Sequence, residues 1–102
     1  MTNRKFTEYH TLQLKNNPKE AEQYLKITLE DYFQDGNKEA FYQALEDVVK
    51  ANIGISSLAK ETSLNRQNLH KIFSGKSSPK LETIENILTR VGFTMTIKRM
   101  TH

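Results

Sequence analysis

The chain has 102 residues, of which 36% are hydrophobic, and it contains neither cysteine nor tryptophan. This length corresponds to one small domain and excludes a two-lobed enzyme with an internal cleft, while the lack of cysteine excludes disulfide scaffolds and thiolate metal sites. The longest apolar run is Ala40 to Tyr42, so we expect no membrane span, no signal peptide and a cytoplasmic location.

Charge is distributed unevenly along the chain, although the formal net charge is only +3. Residues 1–51 carry 7 basic and 9 acidic side chains, whereas residues 52–102 carry 8 basic and 3 acidic ones. A basic excess in one half indicates a polyanionic partner for that half, such as nucleic acid. The alternative explanation is chance in a small protein.

A short helix is predicted in residues 1–16, which form a separate N-terminal segment of uncertain order. Its apolar residues, spaced by three, are Phe6, Tyr9 and Leu12. Asn17 and Pro18 are then typical of a helix N-cap and first helical position. Behind them, apolar residues follow the i, i+3, i+4, i+7 pattern of an amphipathic helix over residues 18–34.

Four more helices are predicted beyond this point. Asn37 can cap the first of them, whose expected buried residues are Phe41, Ala44, Leu45 and Val48. Ser56 and Asn65 are the expected N-caps of two short helices, which are separated by a break at residues 62–64. The last helix should stop at Gly92, and its apolar face consists of Leu81, Ile84, Ile87, Leu88 and Val91.

The two short helices around residues 62–64 meet the requirements of a helix-turn-helix. Ala59 supplies the small side chain that lets the first helix approach the second, and Leu64 is suited to plug the turn into the core. The turn requires a residue that tolerates a left-handed backbone, usually glycine. Ser63 occupies that position in this chain.

Helical geometry predicts which side chains of the second short helix point away from the core. If Leu69 faces inward, Ile72 and Phe73 lie on the same side at about 100° per residue. The outward set contains no acid and no aliphatic residue, and consists of Arg66, Gln67, Asn68, His70, Lys71 and Ser74. Arginine, glutamine, asparagine and lysine have the hydrogen-bonding geometry for base edges in a DNA major groove. The alternative is a solvent-facing helix that lacks acids by chance.

Segment 93–98 is predicted to be a β-strand, because its apolar residues alternate with polar ones. The apolar residues are Phe93, Met95 and Ile97. Since no second strand is evident, we expect this strand to pair with a second copy of the chain across a two-fold axis. The expected fold of residues 17–102 is therefore all-α: five to six short helices that contain a helix-turn-helix, plus a C-terminal strand that contributes to a homodimer.

These motifs resemble a known family. Residues 56–76 together with Pro79 resemble the Cro/repressor-type (XRE-like) helix-turn-helix. More narrowly, the chain resembles addiction-module antidote proteins, the HigA-like antitoxins that are encoded beside a small toxin. Their upstream Tyr-Leu helix and acidic turn are matched here by Tyr24-Leu25 and residues 35–37, and the resemblance covers about residues 17–98.

The resemblance implies a repressor that binds double-stranded operator DNA as a homodimer and neutralises a RelE-like ribonuclease toxin. The positions that match base-contacting residues are Arg66, Gln67, Asn68, His70 and Lys71. The positions expected to lie near DNA phosphates are Ser56, Ser57, Asn65, Ser74, Lys76 and Lys80. Two positions depart from the family pattern: Ser63 replaces the usual turn glycine, and Ser57 replaces a longer glutamine.

Enzymatic functions are not favoured by the sequence. The three histidines, His10, His70 and His102, lie far apart without the spacing of a metal site, and no cofactor is implied. The adjacent acids Glu30-Asp31 and Glu46-Asp47 diverge on helices, so we expect them on solvated faces. We therefore predict a DNA-binding protein that is not an enzyme; the alternative is a helical protein-interaction adaptor that does not bind DNA.

Overall fold

The computed structural model describes residues 4–100, with side chains from His10 onward, and it contains six α-helices in that range. Their bounds are α1 Arg4–Asn16, α2 Pro18–Asp35, α3 Lys38–Asn52, α4 Gly54–Thr62, α5 Arg66–Phe73 and α6 Leu81–Arg90. The all-α architecture expected from the hydrophobic periodicity is confirmed. None of these helices is long and apolar enough to cross a membrane.

The central element is α3, which packs against α1, α2, α4 and α5. Buried residues occur in adjacent pairs along this helix, so its apolar face is broad enough to contact helices on more than one side. The buried residues of α3 are Phe41, Tyr42, Ala44, Leu45, Val48, Val49 and Ala51. They include all four core residues that the periodicity predicted.

Three of the four predicted N-cap positions are confirmed, and at two of them the side chain forms the cap hydrogen bond. The side chain of Asn37 accepts a hydrogen bond from the Ala40 N–H at 3.4 Å, and that of Asn65 accepts one from the Asn68 N–H at 2.7 Å. Asn17 lies at the N-cap of α2 but forms no side-chain cap hydrogen bond. Ser56 is not a cap, because α4 already begins at Gly54.

The N-terminal helix α1 contacts both α2 and α3. Among the side chains of α1 from His10 onward, Leu14 is buried at 5% exposure, whereas Leu12 is 56% exposed. The side chains of Phe6 and Tyr9, which were predicted on the same face as Leu12, lie outside the described residues.

The prediction of a β-strand at residues 93–98 is wrong, since no strand occurs anywhere in residues 4–100. The N–H of Phe93 donates to the carbonyl of Leu88 at 2.8 Å, and the N–H of Gly92 donates to that of Thr89 at 3.1 Å. Gly92 has a φ of 91°. These are the features of a Schellman motif, which ends a helix with a left-handed residue and commonly adds an apolar contact just beyond it.

The way the chain packs after this helix end explains why apolar and polar residues alternate from Phe93 onward, as they would in a strand. Phe93 and Met95 are half-buried against the core, but Ile97 is 98% exposed. A strand requires a second backbone to pair with, and the described part of the chain provides none. The strand that we expected to carry a dimer contact through Phe93, Met95 and Ile97 is therefore absent from residues 4–100.

Candidate nucleic-acid interface

The connection between α4 and α5 is a tight turn with a left-handed residue at its start. Ser63 has a φ of 64° and is the sole non-glycine residue with a positive φ among those described. The Thr62 hydroxyl donates to the carbonyl of Leu58 at 2.7 Å and accepts from the N–H of Leu64 at 3.4 Å. The left-handed conformation expected at position 63 is therefore confirmed, and serine adopts it in place of glycine.

The apolar residues of α4 and α5 hold the two helices on the core. Leu58 of α4 and Leu69 of α5 are both 0% exposed, and α5 packs against α3 as well as α4. Ala59 and Leu64 are half-buried and pack against the same cluster. This packing fixes the orientation of α5, so its remaining surface is a rigid platform.

The outward surface of α5, which we call the α5 face, contains the residues that helical geometry predicted. All six are exposed: Arg66, Gln67, Asn68, His70, Lys71 and Ser74. The inward side is buried through Leu69, Ile72 and Phe73. Because α5 contains no acidic residue, nothing on the helix itself opposes the approach of a polyanion.

A hydrogen bond between α4 and α5 joins two of the predicted DNA contacts. The Arg66 guanidinium donates to the Ser56 hydroxyl through Nη2 at 2.6 Å. A guanidinium has five donor hydrogens, so Arg66 keeps donors for a further partner. The bond holds this cation at the start of α5, on the side that faces α4.

Three other residues predicted near phosphates differ in the groups that they can still offer. The side-chain oxygen of Asn65, Oδ1, accepts the hydrogen bond that caps α5. The amide hydrogens of the same side chain therefore remain available as donors. The Ser74 hydroxyl donates to the carbonyl of Lys71 at 3.1 Å, so in this arrangement it has no proton for a phosphate. Ser57 is half-buried on α4 and therefore has limited access to a ligand.

The loop after α5 brings two lysines to the surface. The helix ends in a second Schellman motif, in which the N–H of Lys76 donates to the carbonyl of Lys71 at 3.1 Å. Gly75 has a φ of 78°, and a Cβ at this position would lie 3.2 Å from Cγ of Glu39. Lys76 and Lys80 are both exposed, so this loop adds two accessible cations beyond the end of α5.

A polar cluster among α1, α2 and α3 was not predicted from the sequence. The Tyr24 hydroxyl donates to Oδ2 of Asp47 at 2.7 Å, and Nε2 of Gln43 donates to Oδ1 of the same carboxylate at 3.0 Å. Nε2 of His10 lies 3.6 Å from Oδ2. Asp47 is half-buried, so it does not lie on a solvated face as expected.

A groove of about 400 Å³ lies among α1, α2, α3 and the end of α6. Its lining includes Leu14, Val48 and Phe93, and no residue of α4 or α5 contributes to it. This groove is therefore separate from the α5 face, whose side chains are exposed to solvent.

Comparison with known proteins assigns the chain to a family. The model of a family described as "Probable addiction module antidote protein" matches residues 5–99. An uncharacterized protein of Haemophilus influenzae is 26% identical over 68 residues, which are 67% of this chain and 69% of that protein. No solved structure matches the chain. Because the family match extends over nearly the whole sequence, the chain belongs to the probable addiction module antidote proteins.

Proposed function

We propose that this antidote protein is a sequence-specific DNA-binding repressor of its own addiction module, and that it acts by binding and not by catalysis. In this proposal α4 and α5 form an XRE-type helix-turn-helix and α5 is the recognition helix. The supporting observation is the α5 face, an exposed set of basic and amide side chains without acids on a helix whose other side is buried. A B-DNA major groove is wide enough to admit such a helix.

The side chains divide into two groups by the part of DNA that they suit. Gln67 and Lys71 lie one turn apart on the exposed side of α5, where donors and acceptors for base edges are needed. Lys76 and Lys80 lie beyond the helix and suit phosphates, which position the protein without reading sequence. Arg66, held by Ser56 at 2.6 Å, lies at the helix start, where phosphate is also favoured.

The antidote family implies a toxin partner, and the resemblance to HigA-like antitoxins makes a RelE-like ribonuclease the proposed toxin. We propose that the protein binds operator DNA as a homodimer. One recognition helix covers only a few base pairs, and proteins of this type gain affinity by placing two helices on half-sites about 34–36 Å apart.

The proposal is tested by fluorescence anisotropy with a labelled duplex that covers the region upstream of the gene. Binding should weaken as salt rises, with a slope of log K against log salt of about −0.9 for each phosphate contact. A random duplex of the same length should bind more weakly at every salt concentration. Equal affinity for both duplexes would contradict sequence recognition, and no binding to either would favour the helical adaptor that does not bind DNA.

Substitutions on α5 test the assignment of the recognition helix. Gln67→Ala and Lys71→Ala should each reduce operator affinity by about 1–3 kcal/mol while binding to random DNA changes less. The matched controls are Gln23→Ala and Lys26→Ala, which remove the same side chains from exposed positions of α2 and should leave operator binding unchanged. If the α5 variants bind both duplexes as the wild type does, α5 is not the recognition helix.

A further inference from the structure

The exposed side of α2 carries a row of charges whose sign alternates. At about 100° per residue, five exposed residues fall within a stripe about 80° wide along the helix. They are Lys19, Glu22, Lys26, Glu30 and Phe33, and we call them the α2 stripe. In chain order its four charges are positive, negative, positive and negative, and an aromatic ring follows them.

The side chains of the α2 stripe are not used within the chain. None of its four charged residues forms a salt bridge with a residue whose side chain is described. Phe33 is 78% exposed, although a residue of that size would normally be buried. Its ring contacts the neighbouring ring of Tyr32, with the centroids 6.0 Å apart. The stripe therefore offers both charge and apolar surface to a partner.

The groove among α1, α2, α3 and the end of α6 opens beside the N-terminal end of this stripe. Lys19 and Glu22 belong to the stripe and also line the groove. The apolar part of the lining includes Leu14, Val48 and Phe93. The groove volume of about 400 Å³ exceeds the roughly 150 Å³ of a protein cavity that binds benzene. The groove is therefore large enough for the ring of a phenylalanine.

Phe33 cannot reach this groove in its own chain. Pro18, which lines the groove, is one helix length away from Phe33, about 22 Å along the axis. In an antiparallel pair of helices, however, the C-terminal end of each lies beside the N-terminal end of the other. Phe33 also lies within about 20° of Glu22 around the helix, and a two-fold axis keeps equivalent flanks on the same side of the pair. Phe33 of one copy can therefore meet the groove of a second copy.

The alternating charges are complementary in the same arrangement. With the two-fold axis between residues 24 and 25, Lys19 lies opposite Glu30 of the second copy. Glu22 then lies beside Lys26 of the second copy, and the axis repeats both pairs. Every charge of the stripe faces the opposite sign, which favours this register. Parallel pairing would place like charges opposite each other, so the sign pattern selects the antiparallel orientation.

We infer that α2 is the homodimer contact of this protein: the α2 stripes of two copies pair in antiparallel orientation, and Phe33 of each copy fills the groove of the other. This inference rests on the homodimer of the proposed function and names its surface. Phe33 is the apolar anchor of the contact. The helix α2 packs against α1 and α3, and no residue of α4 or α5 lines the groove. Each copy thus keeps its α5 face outside the contact.

The test measures the dimer dissociation constant of the full-length protein, without DNA and at low salt, by sedimentation velocity. Lys19→Glu and Glu30→Lys each place like charges opposite each other twice, so each should raise the dissociation constant at least tenfold. An equimolar mixture of the two variants should dimerise within threefold of the wild type, because the acids of one chain then face the lysines of the other. Phe33→Ala should also raise the constant at least tenfold.

A cross-linking experiment locates Phe33 in the groove of the second copy. Because the chain contains no cysteine, Phe33→Cys and Pro18→Cys each introduce a single thiol. A short bismaleimide should cross-link an equimolar mixture of these variants into a dimer. Either variant alone should stay uncross-linked, because its two thiols lie about 20 Å or more apart along the pair.

Matched controls come from α6, where Leu81 is 72% exposed and Glu85 is an exposed acid. Leu81→Ala and Glu85→Lys should change the dissociation constant by less than twofold. Gln23→Ala and Lys26→Ala bring no like charges together and leave the groove contact in place, so these variants should stay dimeric in the operator titration.

The outcomes distinguish this inference from the proposed repressor function. A wild type that is monomeric at every concentration, or stripe variants that dimerise as the wild type does, would overturn the α2 contact. Charge variants that stay monomeric when mixed would overturn the pairing of Lys19 with Glu30 of the second copy, and hence the contact. A dimeric wild type that does not bind the operator would contradict the repressor function alone, because sedimentation is measured without DNA.

Discussion

Ser63 is a residue at which the backbone conformation conflicts with the side chain. Its φ of 64° places Cβ close to the following carbonyl oxygen, which costs a residue with a side chain roughly 1–2 kcal/mol. The tight turn between α4 and α5 requires this conformation, and the burial of Leu58 and Leu69 on either side stabilises the turn despite the cost.

Replacing Ser63 with glycine should therefore stabilise the protein. Glycine adopts the left-handed conformation without a Cβ clash. Glycine also makes the unfolded chain more flexible, which offsets part of the stabilisation. The expected net increase in the free energy of unfolding is about 1 kcal/mol. Urea unfolding measures it. Ser63→Ala is the control, because alanine keeps the clash and should show no such gain. Equal stability of the glycine and alanine variants would show that the turn is not strained.

The hydroxyl group of Tyr24 should make the protein less stable as the pH rises into the alkaline range. Burial, followed by the hydrogen bond to Asp47, raises the pKa of Tyr24 above its ordinary value of 10.0. Above that pH the unfolded chain loses the phenolic proton while the folded protein keeps it, so the free energy of unfolding decreases as pH rises. Well below pH 10.0 both the folded and the unfolded chain keep the phenolic proton, so the stabilising contribution of the Tyr24 hydroxyl is fully present.

The variant Tyr24→Phe tests this linkage by urea unfolding between pH 7 and 11. It should cost about 1 kcal/mol at neutral pH, because it removes a hydrogen bond to a carboxylate that is partly open to solvent. Its stability should also decrease less steeply above pH 10 than that of the wild type. A parallel decrease in both proteins would show that Tyr24 does not carry the effect.

At the scale of elements, the end of α6 decides how the C-terminal segment is used. Phe93 follows the left-handed Gly92 and lies against the core, whereas Ile97 is 98% exposed. The backbone N–H of Phe93 is committed to the carbonyl of Leu88 at 2.8 Å. The contribution of this segment to stability should therefore be concentrated at its start.

Truncation after Thr96 tests that distribution. It should change the free energy of unfolding by less than about 0.5 kcal/mol, because residues 97–100 are exposed. Phe93→Ala should cost about 1–2 kcal/mol, because a half-buried aromatic ring loses its apolar contact. Thermal and urea unfolding of the two variants give the comparison. A truncated protein that is as unstable as the Phe93 variant would show that the exposed tail contributes to the fold.

At the scale of the whole molecule, operator binding should depend on the geometry of two copies. In the proposed homodimer, each α5 reads one half-site, and successive half-sites on one side of DNA are about 10–10.5 base pairs apart. We expect two chains for each operator duplex. Analytical ultracentrifugation of the protein–DNA mixture would measure this stoichiometry directly.

Changing the operator spacing gives a sharper test of the same assembly. Insertion of about 5 base pairs between the half-sites rotates one of them to the opposite side of the duplex and should reduce affinity strongly, whereas insertion of about 10 restores the alignment. An equal response to both insertions would indicate that the copies bind independently.

The features that were correctly predicted from the sequence depend on residues close together in the chain. Helical periodicity over a few turns places Leu69 and Ile72 inward, and this alone determines the exposed α5 face. Asn65 caps the helix that begins one residue later, and the left-handed residue at position 63 follows from the length of the turn. Such rules act within about one helical turn, so they hold before any tertiary contact exists.

The features that could not be predicted depend on contacts between distant segments. Tyr24 reaches Asp47 across 23 positions, and neither residue carries a local signal for the other. The alternation that begins at Phe93 fits a strand or a capped helix end equally well, and packing on the core selects the second. Local sequence rules thus determine which helices form and what each exposes, but only the tertiary structure decides which polar groups are paired, because pairing and burial depend on what packs alongside.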